Sequence, residues 1–322
     1  DILAIDNERR PLLTEVERLK SERNAESKKI GDLKKKGENA DEAVAAMRAL
    51  GDKIDELDKK LKDLDYKQTE MLMHVPNIAP RSPEGKDSSD NVVEKDGPIP
   101  FDYYTKNDDF ARVDHKTLGE RLGIFDFERG AKISGSGFPV YRGWGSRLER
   151  ALIQFFLDEH MKNGFEEFTP PYLVTRTTMR GTGQLPKFEE DMYRCDKDDD
   201  LFLIPTAEVP LTNLYAGEVI PESELPKRIC AYSACFRREA GSYGKDTRGL
   251  LRLHQFNKVE MVYFAHPERS YEDHEELTRF GEMLLEKLGL PYHRLALCKG
   301  DLGFCAGKCY DLVSYAPVEK KW

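Results

Sequence analysis

The sequence predicts an α+β protein in which a long antiparallel helical coiled-coil arm precedes a core with a largely antiparallel sheet. Three observations carry the prediction. The first 75 residues place apolar side chains in alternating three- and four-residue steps, the pattern of a coiled-coil seam. A stretch rich in Pro, Asp, Ser and Gly then runs from Pro76 to about Arg112. From His115 to the end, helical periods alternate with β-like runs without a regular βαβ rhythm. The chain is thereby divided into a helical hairpin at 1–75, a linker at 76–114 and a core at 115–322.

In the arm, Ile2, Ile5, Arg9, Leu12, Val16, Leu19, Arg23, Glu26, Ile30 and Leu33 mark the seam of a first helix. Ala43, Met47, Leu50, Ile54, Leu57, Leu61, Leu64, Gln68, Met71 and Val75 mark that of a second. Between them, Gly37 supplies a helix stop and Asn39 or Asp41 a cap. A turn this short makes the pair an antiparallel hairpin, each helix projecting roughly 50 Å at ~1.5 Å per residue. Lys28, Lys29, Lys34, Lys35 and Lys36 crowd the distal end of the first helix, and the second is loaded with acids such as Asp52, Asp55 and Asp58. Two readings stand at this point. Charged faces on a coiled coil serve solubility and oligomerisation, whereas a cationic tip can meet a phosphate backbone and position it without reading bases.

Pro76 is expected to end the second helix, and 76–114 to lie as a linker over the core. In the core, Leu148 to Lys162 and Tyr271 to Leu288 read as helices. Leu201-Phe202-Leu203-Ile204 and Val259 to Phe264 read as strands.

Composition excludes several classes. Asp+Glu number 59 and Lys+Arg 50, a net charge of −9, so the protein is not coated in basic charge, although a local basic face is still allowed. No run approaches the ~18 apolar residues of a membrane span, and no secretory leader is visible at Asp1-Ile2-Leu3-Ala4. A cytoplasmic protein is expected, with no membrane partner. The chain does not begin with Met, so the natural chain is expected to start earlier. The six cysteines (195, 230, 235, 298, 305, 309) form no CxxC pair, and their spacings predict reduced thiols rather than a zinc site. No GxxxxGK[ST] and no GxGxxG opening a βα unit is present, so any nucleotide is bound by another route.

The chemistry is dense in 201–264. Thr206-Ala207-Glu208 is followed by Phe236-Arg237-Arg238-Glu239-Ala240-Gly241-Ser242 and by Thr247-Arg248-Gly249. His254-Gln255-Phe256-Asn257-Lys258-Val259-Glu260 closes the stretch. A β-like run before Arg237 and another after Leu251 predict a hairpin around a polar, Gly-containing loop. Strand arginines at such a loop clamp phosphates bidentately. Phe256 offers a face for a base, and Glu239 and Glu260 can accept from an amine, an ammonium or a hydroxyl.

This stretch resembles motif 2 of the class II aminoacyl-tRNA synthetases, and in detail the seryl-tRNA synthetase family. The resemblance extends to the helical arm, to Gly181-Thr182-Gly183-Gln184-Leu185-Pro186 and to Gly300-Asp301-Leu302-Gly303. Residues 144–171, ending in Phe168-Thr169-Pro170-Pro171, resemble motif 1, which implies a homodimer through that segment. The resemblance implies a serine–tRNA ligase that makes seryl-adenylate from L-serine and ATP, then passes seryl to the 3′ end of tRNA(Ser). The selenocysteine tRNA, tRNA(Sec), is a further acceptor that family members can charge. Arg237 would be the catalytic residue, touching the α-phosphate of ATP and the serine carboxylate. Glu239 would meet the adenine amine, Phe256 would stack on the ring, and Arg238 and Leu253 would complete the ATP contacts. Thr206, Ala207 and Glu208 would hold the serine with its ammonium, and Glu260 would accept its hydroxyl. The arm would grip tRNA through Lys28, Lys29, Lys34, Lys35 and Lys36, with Lys245 and Arg248 as a second contact near the acceptor end.

The family's magnesium and ATP ligands, and its motif 3 arginine, fall beyond Trp322. These residues alone are therefore expected to be an inactive fragment, with Mg2+ accompanying ATP in the whole enzyme. The competing expectation is a non-catalytic synthetase-like protein that binds tRNA. Intact Arg237, Glu239, Phe256 and Glu260 argue against it.

Overall fold

The computed structural model describes residues 2–101, 112–195, 197–239 and 249–322. It divides into two compact units, one running up to Pro76 and the other from Asn77 to Trp322.

The first unit is a hairpin of α1 (Ile2–Lys36) and α2 (Asp41–Leu72). Val16, Leu19 and Ile30 of α1 are buried, as are Ile54, Leu61 and Leu64 of α2, all at seam positions. Polar pairs at and beside the seam set the antiparallel register. Arg9 pairs with Asp65, Lys20 with Asp58 at 2.8 Å, and Gln68 donates to Asp6 at 3.2 Å. At the turn, Gly37 takes φ +75°, while its N–H donates to Lys34 O and that of Glu38 to Leu33 O. This left-handed closure satisfies two terminal carbonyls and favours glycine. The expected side-chain cap is absent. Ala40 occupies the N-cap position, and Asn39 Oδ1 instead accepts from Asp41 N–H at 2.8 Å.

The second unit runs β1 (Val92–Asp96), α3 (His115–Arg121), β2 (Phe125–Asp126), α4 (Phe127–Ser134), β3 (Val140–Tyr141) and α5 (Trp144–Lys162). It continues with β4 (Glu166–Glu167), β5 (Leu173–Thr175), α6 (Arg176–Gly181), β6 (Leu201–Leu203) and α7 (Glu208–Thr212). The last elements are β7 (Lys227–Phe236), β8 (Gln255–Phe264), α8 (Ser270–Lys287), β9 (Tyr292–Ala296) and β10 (Tyr310–Ser314). Pairing is antiparallel except for β4, which runs parallel to β7. The described strands form four small sheets, ordered β1-β9-β10, β2-β3, β4-β7-β8 and β5-β6.

The segment expected to be a linker is more than that. Its Val92–Asp96 pairs with β9, almost two hundred residues away in the chain. Asn91 bonds Cys298 N–H at 2.9 Å and Asp301 at 2.7 Å, and Gly300 N–H donates to Gly85 O at 3.1 Å. At Gly300 a Cβ would lie 2.1 Å from Lys86 O, so only glycine fits against that strand of backbone.

The β7–β8 hairpin organises the site. Ile229 of β7 packs with Ala207, Leu211 and Ala231, while Cys230 packs with Leu157 of α5 and Phe165. The register sets Cys235 opposite Phe256, Ser233 opposite Lys258 and Ala231 opposite Glu260. Ala231, Ser233 and Cys235 are fully buried and small, so the larger residues facing them have room to stand above the sheet.

Candidate active site

Above that row lies a cavity of about 440 Å³ lined by Thr206, Glu208, Arg237, Glu239, Arg252 and Lys258, with Gln184 and Asp191 at its wall. Each side chain is there for a local reason. Phe256, Lys258 and Glu260 are spaced by two on β8 and so share a face. Thr206 and Glu208 sit at the start of α7, and Arg237 immediately follows β7.

Glu260 is the hub. Thr206 Oγ1 donates to Glu260 Oε2 at 2.7 Å and accepts from Glu208 N–H at 3.1 Å. Lys258 Nζ pairs with the same Glu260 oxygen. Glu208 is open to the cavity, yet its carboxyl is ringed by protein. Burial raises its pKa, and the charge of Glu260 raises it further, while Lys258 and Arg237 act in the opposite direction.

Arg237 is fixed without being used up. Its Nε donates to Pro205 O at 3.3 Å, and its guanidinium lies 5.1 Å from the centre of the Phe256 ring. Its backbone N–H donates to His254 O at 3.0 Å, and its carbonyl faces His254 Nδ1 at 3.1 Å. His254 is itself held by Phe138, stacked at 5.3 Å. The terminal guanidinium nitrogens bond no other described residue, so a planar two-donor fork faces the cavity. Glu239 pairs with Arg252 at 2.9 Å through one carboxylate oxygen, from a backbone at φ +51° that non-glycine residues seldom adopt.

Not every residue expected at the site lines it. Ala207 is fully buried and packs beneath with Leu211. Leu253 is buried, and neither it nor Phe256 nor Glu260 lines the cavity; Glu260 adjoins it through Thr206 and Lys258, and Phe256 through Arg237. Arg238 is exposed over the Tyr193 ring at 5.8 Å, and its N–H donates to Asp191 O. Lys245 and Arg248 lie outside the described residues. Lys28, Lys29, Lys34, Lys35 and Lys36 are all exposed, and Lys29 pairs with Glu26 at 2.5 Å. The last three fill the final turn of α1, where cations also suit the helix dipole. Lys258 and Arg252 were not singled out as site residues from the sequence. The signal available for Lys258 is its two-residue offset from Glu260.

Among the described residues no group of three or more His, Cys, Asp or Glu side chains could hold a metal ion. All six cysteines are free thiols.

Comparison with known proteins shows the family. Residues 1–79 match the seryl-tRNA synthetase N-terminal domain, and residues 190–322 match the class II tRNA synthetase core domain (G, H, P, S and T). The serine–tRNA ligase of Chloroherpeton thalassium is 49% identical, over 100% of this chain and 75% of its own length. The chain belongs to the serine–tRNA ligase family. It is therefore an aminoacyl-tRNA ligase with the class II fold. The serine–tRNA ligase of Clostridium tetani is likewise 49% identical, over 100% of this chain and 74% of its own. The seryl-tRNA synthetase of Pyrococcus horikoshii, solved complexed with ATP, superposes with a TM-score of 0.83 at 38% identity, covering 99% of this chain and 75% of that one. In this serine–tRNA ligase family member the cavity lining from Asp191 to Lys258 falls within the matched core domain, with Gln184 and Phe188 just before it.

Proposed function

We propose that the cavity above β7–β8 is where L-serine reacts with ATP. A serine carboxylate oxygen attacks the α-phosphorus, the bond to the bridging oxygen breaks, and pyrophosphate leaves. The product is seryl-adenylate. A ribose hydroxyl at the 3′ end of tRNA(Ser) then attacks the seryl carbonyl, giving up its proton as AMP departs. The 3′ end of tRNA(Sec), as a second acceptor, would react in the same way.

The observation that carries the proposal is the convergence of the Thr206–Glu260–Lys258 group and the Arg237 fork on one cavity. Arg237 bridges the serine carboxylate and the α-phosphate, offsetting charge where it builds during attack. Phe256, beside Arg237, supplies a face for adenine, and the Glu239 oxygen left by Arg252 accepts from the adenine amine. Arg238 and the Leu253 backbone flank the nucleotide. Glu208 takes the ammonium, Glu260 accepts the serine hydroxyl, and Ala207 acts from below by setting the course of the Thr206–Glu208 backbone. The family's magnesium accompanies ATP, but these residues build no cage for it, and no step is assigned to it here.

The exposed lysines of α1, with Lys245 and Arg248, are assigned to tRNA phosphates, and residues 144–171 to a homodimer contact. No described helix is long and apolar enough to cross a membrane. Six free thiols suit a cytoplasmic setting.

Substrate choice tests the proposal. Serine and alanine differ by one hydroxyl, and alanine leaves the Glu260 acceptor beside the cavity unpaired. Sites of this kind reject the analogue by up to ~10⁴–10⁵. The full-length protein is expected to show serine-dependent ATP–pyrophosphate exchange and almost none with alanine. Exchange driven equally by alanine would overturn the assignment.

A further inference from the structure

We propose that Lys258 is a positioning residue that sets serine selectivity. Together with Thr206 it pins one oxygen of Glu260, leaving the other presented to the serine hydroxyl. The inference rests on the serine-activating reading above.

Three observations support it. Thr206 Oγ1 and Lys258 Nζ come from different elements yet meet on the same atom, Glu260 Oε2. Oε1 has no partner among the described residues, so the carboxylate is fixed by one oxygen with the other open. Second, the charge of Glu260 disfavours that of Glu208, and Lys258 and Arg237 counter it. During activation Arg237 is committed to the substrate carboxylate and phosphate, so Lys258 is the cation left for the pair. Third, of the other titratable groups on the cavity none supplies a spare cation, since Asp191 adds only further negative charge. Burial pushes the Cys235 thiol up from β7, and the Cys309 thiol, which senses Glu208, up to about 11. Glu239 and Arg252, on the same cavity, neutralise each other.

Removing the ammonium takes away one of the two cations that favour the charged form of Glu208. Serine binding then weakens as pH falls, because a protonated Glu208 loses its charge for the serine ammonium. A merely structural lysine would produce no such dependence on pH.

The test is ATP–pyrophosphate exchange by the full-length protein and its Lys258→Met, Lys258→Gln and Lys258→Arg variants. KM for serine and kcat are followed between about pH 6 and about pH 8.5, since a shift of one pKa unit is about tenfold in the affected equilibrium. For Lys258→Met, KM for serine is expected to rise about tenfold or more on going from the upper to the lower pH, with a smaller change in kcat. The unaltered enzyme stays flat. The preference for serine over alanine falls by about tenfold, since an acceptor no longer held penalises alanine less. Lys258→Arg restores both, and Lys258→Gln repeats the Met profile should that variant fold poorly. KM profiles parallel to the unaltered enzyme, with unchanged selectivity, would overturn the inference. Absence of serine-dependent exchange in the unaltered protein would instead overturn the serine-activating reading itself.

Discussion

At Arg237 the backbone and the side chain have separate tasks. The backbone is locked to His254 by two contacts, and Phe138 holds His254 in place. The side chain gives only its Nε to Pro205. Arg237→Ala should therefore leave the hairpin folded while removing the charge contact that the chemistry needs. Loss of one such contact costs on the order of 10²–10³ in kcat. Serine-dependent pyrophosphate exchange in the full-length Arg237→Ala protein is expected to fall at least about two orders of magnitude at an unchanged melting temperature. Exchange at the unaltered rate would remove Arg237 from the mechanism. The sequence made Arg237, Glu239, Phe256 and Glu260 legible, because a phosphate-clamping arginine, an aromatic and carboxylates flank one loop. Lys258 was harder to read. Alternation places it on the Glu260 face, but a lysine so placed can equally snorkel to solvent. Ala207 was read with its motif neighbours, yet its methyl group belongs to the core.

At the scale of elements, the arm was legible because its information is local. A three-four repeat names the buried positions, and Val16, Leu19, Ile54 and Leu61 are where it puts them. β1 was not legible for the opposite reason. Val92–Asp96 is short and half charged, and it becomes a strand by pairing with Tyr292–Ala296, which no local window contains. α5 carries the dimer proposal. Trp144 and Leu148 are one turn apart on its first turns and 71% and 58% exposed, an apolar pair that a lone subunit leaves in water. Symmetric dimers are the default closed assembly. The full-length protein is expected to sediment as a dimer at micromolar concentration, and Leu148→Glu to shift it toward monomer. A folded, unaltered protein that sediments as a monomer would contradict the role given to residues 144–171.

At the scale of the whole molecule, the chain is two compact units joined at Pro76 and Asn77, and the residues assigned to each task divide along the same line. The cavity groups all lie in the second unit. The lysines that end α1 belong to the first, where they are exposed and supply the local positive field that an acidic protein of net charge −9 otherwise lacks. On the proposed function, serine activation uses only the second unit, whereas transfer to tRNA needs both. The most direct test is to delete residues 20–60 from the full-length protein and measure serine-dependent pyrophosphate exchange and tRNA charging on the same preparation. The account predicts exchange close to the unaltered rate with charging sharply reduced. Charging at the normal rate without the arm would contradict it and reduce the hairpin to a structural coiled coil.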